Sequence, residues 1–322
     1  MKAIQITATG GPEVLQYRDL DVPTPARGQV LIEVRAAGIN FIDIYFREGR
    51  YPSDLPFIPG QEGAGVVVAI GDDVTAFYVG ARVAWCGVQG AYAQYAVVPE
   101  SRVIRMPDSI SFEQAAAAML QGMTAHYLAN STYPLQEGSA VLIHAGAGGV
   151  GLLLTQVAKM MGAYVITTAS TREKAHLSRE AGADHVVLYA DTDFAEQAKS
   201  LTKGVGVDVV YDGVGKTTFE GSLKALKPRG MLVLFGGASG AVPAFDLARL
   251  STMGSLYVTR PTLAHYTATR AELEWRANDV LHWVEARKLM LRADHVYPLA
   301  DAAKAQSDLQ GRRTTGKLLL IP

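Results

Sequence analysis

Cysteine is almost absent from this 322-residue chain, which contains only Cys86. A single thiol cannot form an internal disulfide, and it cannot supply the cysteine cluster of a structural zinc site. The seven histidines include no closely spaced H-x-x-x-H pair. The sequence therefore predicts a protein that binds no metal.

Excess charge and long apolar runs are also lacking. The formal net charge is −1, so the chain has no global attraction for nucleic acid or an anionic membrane. No apolar run approaches membrane-spanning length, and the first residues lack the apolar core of a signal peptide. Hydrophobic residues make up 49% and charged residues 19%, as in ordinary globular enzymes. We expect a cytoplasmic protein.

The stretch from Ser139 to Lys174 contains the strongest pattern in the chain. A short apolar run, Ala140–Ile143, predicts a buried parallel strand, and Gly146–Gly151 then satisfies G-x-G-x-x-G. A second strand is predicted over Tyr164–Thr168. Between the glycines and that strand, apolar residues recur with helical spacing at Val150, Leu153, Leu154, Val157 and Met161.

Each glycine of such a turn has its own purpose. One allows the tight turn, another lets the backbone approach a pyrophosphate, and the third lets helix and strand pack closely. The open amides at the helix N-terminus then hold the phosphates. A glycine-rich turn that binds nothing is the alternative, and the strand–turn–helix–strand context argues against it.

The rest of the chain divides into two kinds of pattern. Short β-type runs separated by glycine and proline dominate residues 1–123, and strand–helix alternation follows over residues 124–261. Residues 262–322 contain a helical stretch and a last strand that we expect to complete the first domain. The predicted fold is α/β, a doubly wound Rossmann domain inserted in a β-rich domain.

Five local motifs support a resemblance that covers essentially the whole chain. They are Gly10–Leu15 (GGPEVL), Ala37–Asp43 (AGINFID), Pro59–Gly65 (PGQEGAG), Tyr211–Gly215 (YDGVG) and Gly254–Pro261 (GSLYVTRP). With the order of domains, they resemble the zinc-free quinone oxidoreductases of the zeta-crystallin type, in the medium-chain dehydrogenase/reductase superfamily. The resemblance implies a GroES-like catalytic domain over 1–123 and 262–322 and an NADPH-binding Rossmann domain over 124–261.

Departures from the zinc-dependent relatives are informative. The resemblance places Asn40 where those enzymes have a cysteine ligand of zinc, and Gln61, in Gly60-Gln61-Glu62, where they have a histidine. Amide side chains are poor zinc ligands. His144, at the end of the first Rossmann strand, is interpreted as a packed or hydrogen-bonded residue rather than a ligand.

A chain without a metal suits an acceptor that takes hydride readily. Quinones and conjugated enones are electron-poor, so the protein has mainly to place them against the nicotinamide, between the two domains. The catalytic candidates implied by the resemblance are Asn40, Asp43, Tyr45 and Gln61. Asn40 either orients cofactor or substrate or only forms a turn, and Tyr45 either donates to a carbonyl oxygen or is a half-buried aromatic.

The cofactor is predicted to be NADPH. Ser170 stands where NAD-preferring domains carry a carboxylate, and Lys174 follows it. Glu173 offsets some of the positive charge, and Arg172 is alternatively only a solvent-exposed residue of the helix. The resemblance implies contacts to the adenosine phosphate from Lys174, Tyr189 and Arg312. The full set of cofactor-binding candidates is Asn40, Phe41, Tyr45, Thr124, Tyr127, Gly146, Gly148, Gly149, Val150, Gly151, Ser170, Thr171, Lys174, Tyr189, Val214, Phe235, Gly236, Ser239 and Arg312.

Two function classes follow. The first is an NADPH-dependent quinone reductase, with α,β-unsaturated carbonyl compounds as alternative substrates. The second is a structural or RNA-binding protein of the zeta-crystallin type, which the lack of a basic run disfavours. We also expect a homodimer through Gly254–Pro261, since an apolar edge strand invites pairing, with Leu256 and Val258 as contact residues. The alternatives are an edge covered by the chain's own helices or blunted by Arg260 and Pro261.

Overall fold

The computed structural model describes residues 1–190 and 192–322 and divides into two compact units. Unit 1 comprises Met1–Met123 with Thr267–Pro322, and unit 2 comprises Thr124–Tyr266. The sequence had placed the boundaries after residues 123 and 261. Within the described residues, no helix is both long and apolar enough to cross a membrane.

The elements follow the chain in this order. The strands are β1 (Lys2–Gln5), β2 (Gln16–Asp19), β3 (Gln29–Ile39), β4 (Glu62–Ile70), β5 (Arg82–Cys86), β6 (Tyr95–Pro99), β7 (Val103–Arg105), β8 (Ala140–Ile143), β9 (Tyr164–Ala169), β10 (His185–Leu188), β11 (Val207–Asp212), β12 (Leu226–Leu234), β13 (Tyr257–Thr259), β14 (His295–Pro298) and β15 (Leu318–Ile321). The helices are α1 (Phe41–Arg47), α2 (Phe112–Tyr127), α3 (Gly149–Met160), α4 (Arg172–Glu180), α5 (Phe194–Leu201), α6 (Phe219–Ala225), α7 (Ala248–Thr252), α8 (Leu263–Tyr266), α9 (Arg270–Glu285) and α10 (Ala302–Gln310).

Unit 1 is built on a largely antiparallel sheet in the order β14-β15-β3-β4-β5-β7, with β6 also paired to β3. The long strand β3 pairs with β4, β6 and β15, so the C-terminal strand lies beside the N-terminal ones. Buried valines and isoleucines of these strands pack with Trp85 and Tyr92 in one core. This arrangement explains why the last residues of the chain belong to its first domain.

Unit 2 contains a six-stranded sheet in the order β10-β9-β8-β11-β12-β13, and every pair in it is parallel. This is the strand order of a doubly wound dinucleotide-binding fold, so the predicted Rossmann architecture is confirmed. Parallel strands buried on both faces need continuous apolar runs. That requirement explains why β8, with its short run of Ala140–Ile143, was predicted with its observed bounds.

The structure corrects the sequence prediction at two elements. Helix α1 lies in a region that was predicted to be β-rich. The sequence did not predict this helix because seven residues are too few for a helical period to stand out. Strand β13 is shorter than predicted, and Leu256 precedes it, 6% exposed in the core of unit 2. Leu256 is therefore a core residue and not a contact residue of the sheet edge, because its apolar side chain is buried among its own unit's residues.

Candidate functional site

Helix α1 begins at a turn that contains two of the predicted catalytic residues. Asn40 has extended backbone and precedes the helix, and its backbone N–H donates to Asp43 Oδ2 over 2.9 Å. This bond satisfies the backbone amide of the residue that precedes the helix, as the acidic member of a capping box does. The spacing Asn40-x-x-Asp43 is a capping signal, and it was the one sequence feature that could have predicted the helix.

The Asn40 side chain is enclosed by groups of unit 1 and is only 4% exposed. Its Oδ1 accepts from Lys317 Nζ at 2.8 Å and from Gln121 Nε2 at 3.3 Å. Its Nδ2 donates to Glu62 Oε1 at 2.8 Å. An amide with these partners holds the turn in place and has little capacity left for a ligand.

Glu62 and Lys317 form a fully buried ion pair. The other oxygen of Glu62 accepts the backbone N–H of Leu120 in α2, at 2.6 Å. Burial lowers the pKa of Lys317 to about 7, and the charge of Asp43 opposes that shift. Removing one member of such a pair would leave a buried charge without compensation, so β4, β15, α1 and α2 depend on one another here.

Asp43 is itself buried, with 1% of its surface exposed. Tyr92 donates its hydroxyl to Asp43 Oδ2 at 2.8 Å. Burial raises the pKa of Asp43 to about 6, although the Asn40 amide, the Tyr92 hydroxyl and Lys317 oppose the shift. A carboxyl group in this state is a candidate proton carrier near neutral pH.

Aromatic rings surround the next predicted residue, Tyr45. Tyr51 meets it edge-on with ring centroids 5.5 Å apart, and Phe41 lies 6.5 Å away. The Arg50 guanidinium lies 5.3 Å from the Tyr45 ring centroid. Tyr45 is 8% exposed, so it is more deeply buried than the half-buried aromatic that the sequence suggested as the alternative. Gln61, also 8% exposed, accepts the Gly87 amide through its backbone carbonyl at 2.7 Å.

The glycine turn of unit 2 joins β8 to α3. A Cβ on Gly151 would lie 2.2 Å from the Ala145 carbonyl oxygen, so only glycine permits this close approach of helix and turn. A Cβ on Gly148 would meet only Ala145 atoms, the nearest at 3.2 Å. Among the described residues, no side chain caps the N-terminus of α3. The first turn of α3, Gly149–Gly151, therefore presents open amides at a helix N-terminus, and these suit a pyrophosphate.

The predicted cofactor residues of unit 2 follow the carboxyl ends of five parallel strands. In doubly wound sheets, ligands bind at that edge. The residues lie after β8 (Gly146, Gly148, Gly149, Val150, Gly151), after β9 (Ser170, Thr171, Lys174), after β10 (Tyr189), after β11 (Val214) and after β12 (Phe235, Gly236, Ser239).

The remaining predicted residues lie elsewhere. Thr124 and Tyr127 are buried in α2, where Tyr127 stacks on Tyr266 with centroids 4.4 Å apart. Arg312 is exposed in unit 1, in the turn after α10. Asn40, Phe41 and Tyr45 also belong to unit 1.

The end of β9 carries no carboxylate. Ser170 follows the strand, and Thr171 caps α4 by accepting the Lys174 amide at 3.2 Å. Glu173 is exposed, and the hydroxyl of Thr171 lowers the pKa of its carboxyl group. The segment after β9 therefore combines hydroxyl groups with one lysine and one carboxylate, and hydroxyl and ammonium groups are donors suited to a phosphate.

The single cysteine lies inside unit 1. Cys86 ends β5 and is 1% exposed. Burial raises the pKa of its thiol to about 12, and the nearby Arg102 charge opposes the shift only in part. His144 is likewise buried and hydrogen-bonded, as its sequence interpretation predicted. Nowhere in residues 1–190 and 192–322 do three or more His, Cys, Asp or Glu side chains form a group suited to a metal.

Comparison with known proteins agrees with this architecture. The model of the alcohol dehydrogenase GroES-like domain matches residues 26–108, and the zinc-binding dehydrogenase model matches residues 149–278. A quinone oxidoreductase of Pseudomonas aeruginosa is 47% identical over 100% of this chain and 99% of its own. The chain belongs to the quinone oxidoreductase family.

Two further members extend the comparison. A mycobacterial protein solved in complex with NADPH has 49% identity and a TM-score of 0.97, with both chains covered completely. A 2-haloacrylate reductase of a Burkholderia species is 40% identical over 99% of this chain and 98% of its own. The predicted membership of the medium-chain dehydrogenase/reductases is confirmed.

Sequence reasoning missed three residues of the buried network around Asn40: Glu62, Gln121 and Lys317. Glu62 begins strand β4 and Lys317 immediately precedes β15, and a lone charge at the start of a buried apolar run is the signal that could have suggested a buried pair. Gln121 gives no such signal, because a polar residue in a helix is usually solvated.

The raised pKa of Asp43 predicts how stability depends on pH. Its folded pKa of about 6 exceeds the ordinary value of 3.8, so its stabilising contribution is complete below pH 3.8 and is lost as the pH rises through 6. Asp43→Asn lacks this titration. From pH 4 to pH 7, the wild-type protein should lose up to about 3 kcal/mol of unfolding free energy relative to the variant.

Urea unfolding at several pH values measures this difference. Asp21→Asn, at an exposed position, is the matched control. Its unfolding free energy should change with pH in the same way as that of the wild type. If the unfolding free energies of Asp43→Asn and the wild type differed by the same amount at every pH, Asp43 would have the same proton affinity in the folded and unfolded states.

Proposed function

We propose that this protein is an NADPH-dependent quinone reductase that needs no metal. The observation that carries the proposal is the uncapped glycine turn before α3, at the carboxyl edge of the parallel sheet, in a chain similar to quinone oxidoreductases along its whole length. The amides of Gly149, Val150 and Gly151 would hold the pyrophosphate. When bound, NADPH supplies the hydride.

The residues of unit 1 would place the acceptor. The aromatic cluster of Phe41, Tyr45 and Tyr51 would supply an apolar surface for a flat quinone ring, chiefly through Tyr51, which is 37% exposed. Tyr45 would donate its hydroxyl to the quinone carbonyl oxygen. Asn40 would act as a positioning residue, because its amide is bonded to Lys317 and Glu62. Asp43 is the candidate that holds or releases a proton within this unit.

Metal independence is proposed from the chemistry of the side chains. Asn40 and Gln61 carry amides at the two positions that the family resemblance assigns to zinc ligands, and amides bind zinc poorly. Reduction of α,β-unsaturated carbonyl compounds is the second candidate activity, and the similarity to a 2-haloacrylate reductase supports it. The cytoplasmic location remains a prediction.

A turnover assay tests the proposed function. Oxidation of NADPH should be followed with 1,4-benzoquinone, a 2-alkenal and a simple alcohol, before and after exhaustive treatment with EDTA. We expect turnover with the quinone, less with the alkenal, none with the alcohol, and no effect of chelation. Activity that disappears with EDTA and returns with zinc would contradict the metal-free mechanism.

Cofactor preference provides a second test. A charge-assisted contact of Lys174 with the 2′-phosphate should contribute on the order of 1.5–3 kcal/mol. Lys174→Ala should therefore raise the Kd for NADPH at least tenfold, measured by fluorescence titration, and leave the Kd for NADH nearly unchanged.

The matched control for this test is Arg179→Ala, at the exposed last turn of the same helix. It should alter neither affinity. If Lys174→Ala weakened the binding of NADPH and of NADH equally, Lys174 would stabilise the fold and not contact the 2′-phosphate.

We further propose a homodimer through β13, the outermost strand of the parallel sheet. Tyr257 and Val258 are 57% and 39% exposed, so an apolar edge is available for pairing with a second copy. Val258→Lys should dissociate the dimer and leave the melting temperature of the monomer nearly unchanged. Leu256→Lys should instead unfold unit 2, since it would bury an ammonium group in the core.

Sedimentation equilibrium measures the association. The unmodified protein should have twice the mass of one chain at micromolar concentration, and Val258→Thr should retain that mass. A single-chain mass for the unmodified protein would refute the dimer.

A further inference from the structure

His144 immediately follows β8 inside unit 2, and its ring is enclosed by side chains of that unit. Its Nδ1 is 3.0 Å from Thr168 Oγ1, and its Nε2 is 3.0 Å from Ser222 Oγ. The ring also meets Phe194 edge-on, with centroids 4.6 Å apart. All three polar side chains are at most 2% exposed. A buried histidine of this kind needs a structural or functional reason.

The direction of each hydrogen bond follows from donor and acceptor chemistry. Ser222 donates its only hydroxyl proton to Asp212 Oδ2, at 2.9 Å, because a carboxylate can only accept. Ser222 Oγ must therefore accept from His144 Nε2–H. Burial lowers the pKa of His144, so the ring is neutral and its Nδ1 is an acceptor. Thr168 then donates to Nδ1.

At one end, this series of hydrogen bonds reaches the glycine turn. The Ala145 backbone N–H donates to Thr168 Oγ1 at 3.3 Å, and the Gly146 N–H donates to the Thr168 carbonyl at 2.9 Å. Ala145 has a φ of 54°, a conformation that residues with a Cβ adopt only when their surroundings hold them there. Thr168 supplies two of those contacts.

At its other end, the series of hydrogen bonds reaches the loop after β11. Asp212 Oδ1 accepts the backbone N–H of Val214 at 2.8 Å and of Gly215 at 3.0 Å. The Val214 carbonyl in turn accepts both the N–H and the hydroxyl of Ser239, each at 2.8 Å. The loop after β11, called the Val214 loop below, and the loop after β12 are thereby fixed to Asp212.

We propose that His144 is a positioning residue that keeps the glycine turn and the Val214 loop in register for the dinucleotide. Both segments lie at the carboxyl edge of the parallel sheet, where ligands of doubly wound folds bind. The ring fixes their relative position through the uninterrupted series Ala145–Thr168–His144–Ser222–Asp212. This inference rests on the proposed function.

Two other roles are less consistent with the geometry. Serine, histidine and aspartate are the members of a hydrolytic triad, but here Asp212 contacts Ser222 and not His144, and Ser222 has no exposed surface. A space-filling histidine is the other possibility. A phenylalanine would satisfy that role equally well, and the experiment uses this difference.

The test measures NADPH affinity and thermal stability in the full-length protein. His144→Phe keeps the ring and removes both hydrogen bonds, and Thr168→Val removes the hydroxyl without changing the shape. Each should raise the Kd for NADPH at least tenfold, at temperatures well below its own melting transition. Thr168→Ser should recover most of the affinity lost in Thr168→Val.

Thr155 provides the matched control. It is fully buried in α3, and within the described residues its hydroxyl has no hydrogen-bond partner. Thr155→Val makes the same chemical change as Thr168→Val and should leave the Kd unchanged. Both changes interrupt the same series of hydrogen bonds, so their effects should not add. The Kd of the double variant His144→Phe/Thr168→Val for NADPH should be at most about threefold higher than that of the single variant with the higher Kd.

The outcomes separate this inference from the proposed function. Folded His144→Phe or Thr168→Val with wild-type affinity for NADPH would overturn the positioning role and leave the reductase proposal intact. Wild-type protein that does not bind NADPH would overturn both. If His144→Phe does not fold, Thr168→Val with its serine and Thr155 controls decides the question. The KM for NADPH should rise in parallel with the Kd, while kcat at saturating NADPH changes less than threefold.

Discussion

The buried contact between Glu62 and Lys317 joins segments that lie far apart in the sequence. Glu62 begins β4, and Lys317 immediately precedes β15, the last strand of the chain. Their charges are compensated only when β4 and β15 have both taken their places beside β3 and when α2 presents the Leu120 amide. A polar contact of this kind specifies one arrangement, because any other arrangement leaves a charge buried alone.

The two units use polar groups in different ways. Unit 1 turns its buried charges and amides towards one another around Asn40. Within the described residues, Asp43 Oδ1 and Gln121 Oε1 are the atoms of this cluster without a hydrogen-bond partner. Unit 2 leaves the amides of Gly149, Val150 and Gly151 open at the start of α3, and it fixes the preceding turn from behind through Thr168 and His144. Open donors on a rigid backbone suit the binding of an anion, since little reorganisation is needed when it arrives.

The sequence predicted the Rossmann unit better than the β-rich unit for a physical reason. Parallel strands and the glycine turn leave local signals, as Ala140–Ile143 and Gly146–Gly151 do. The partners of Asn40 are different, because Lys317 is 277 residues away and no local period relates the two. Leu256 was placed at an exposed edge because its neighbours read as a strand, and burial beside a strand end has no signature of its own.

The environment of Cys86 has a chemical consequence for a protein that handles electrophiles. Quinones alkylate cysteine by conjugate addition, and the attacking species is the thiolate. With a thiol pKa of about 12, the ionised fraction at neutral pH is on the order of one part in a hundred thousand, and the side chain is 1% exposed. The only thiol in the chain is therefore shielded from the compounds that the enzyme is proposed to reduce, and repeated turnover would not arylate it.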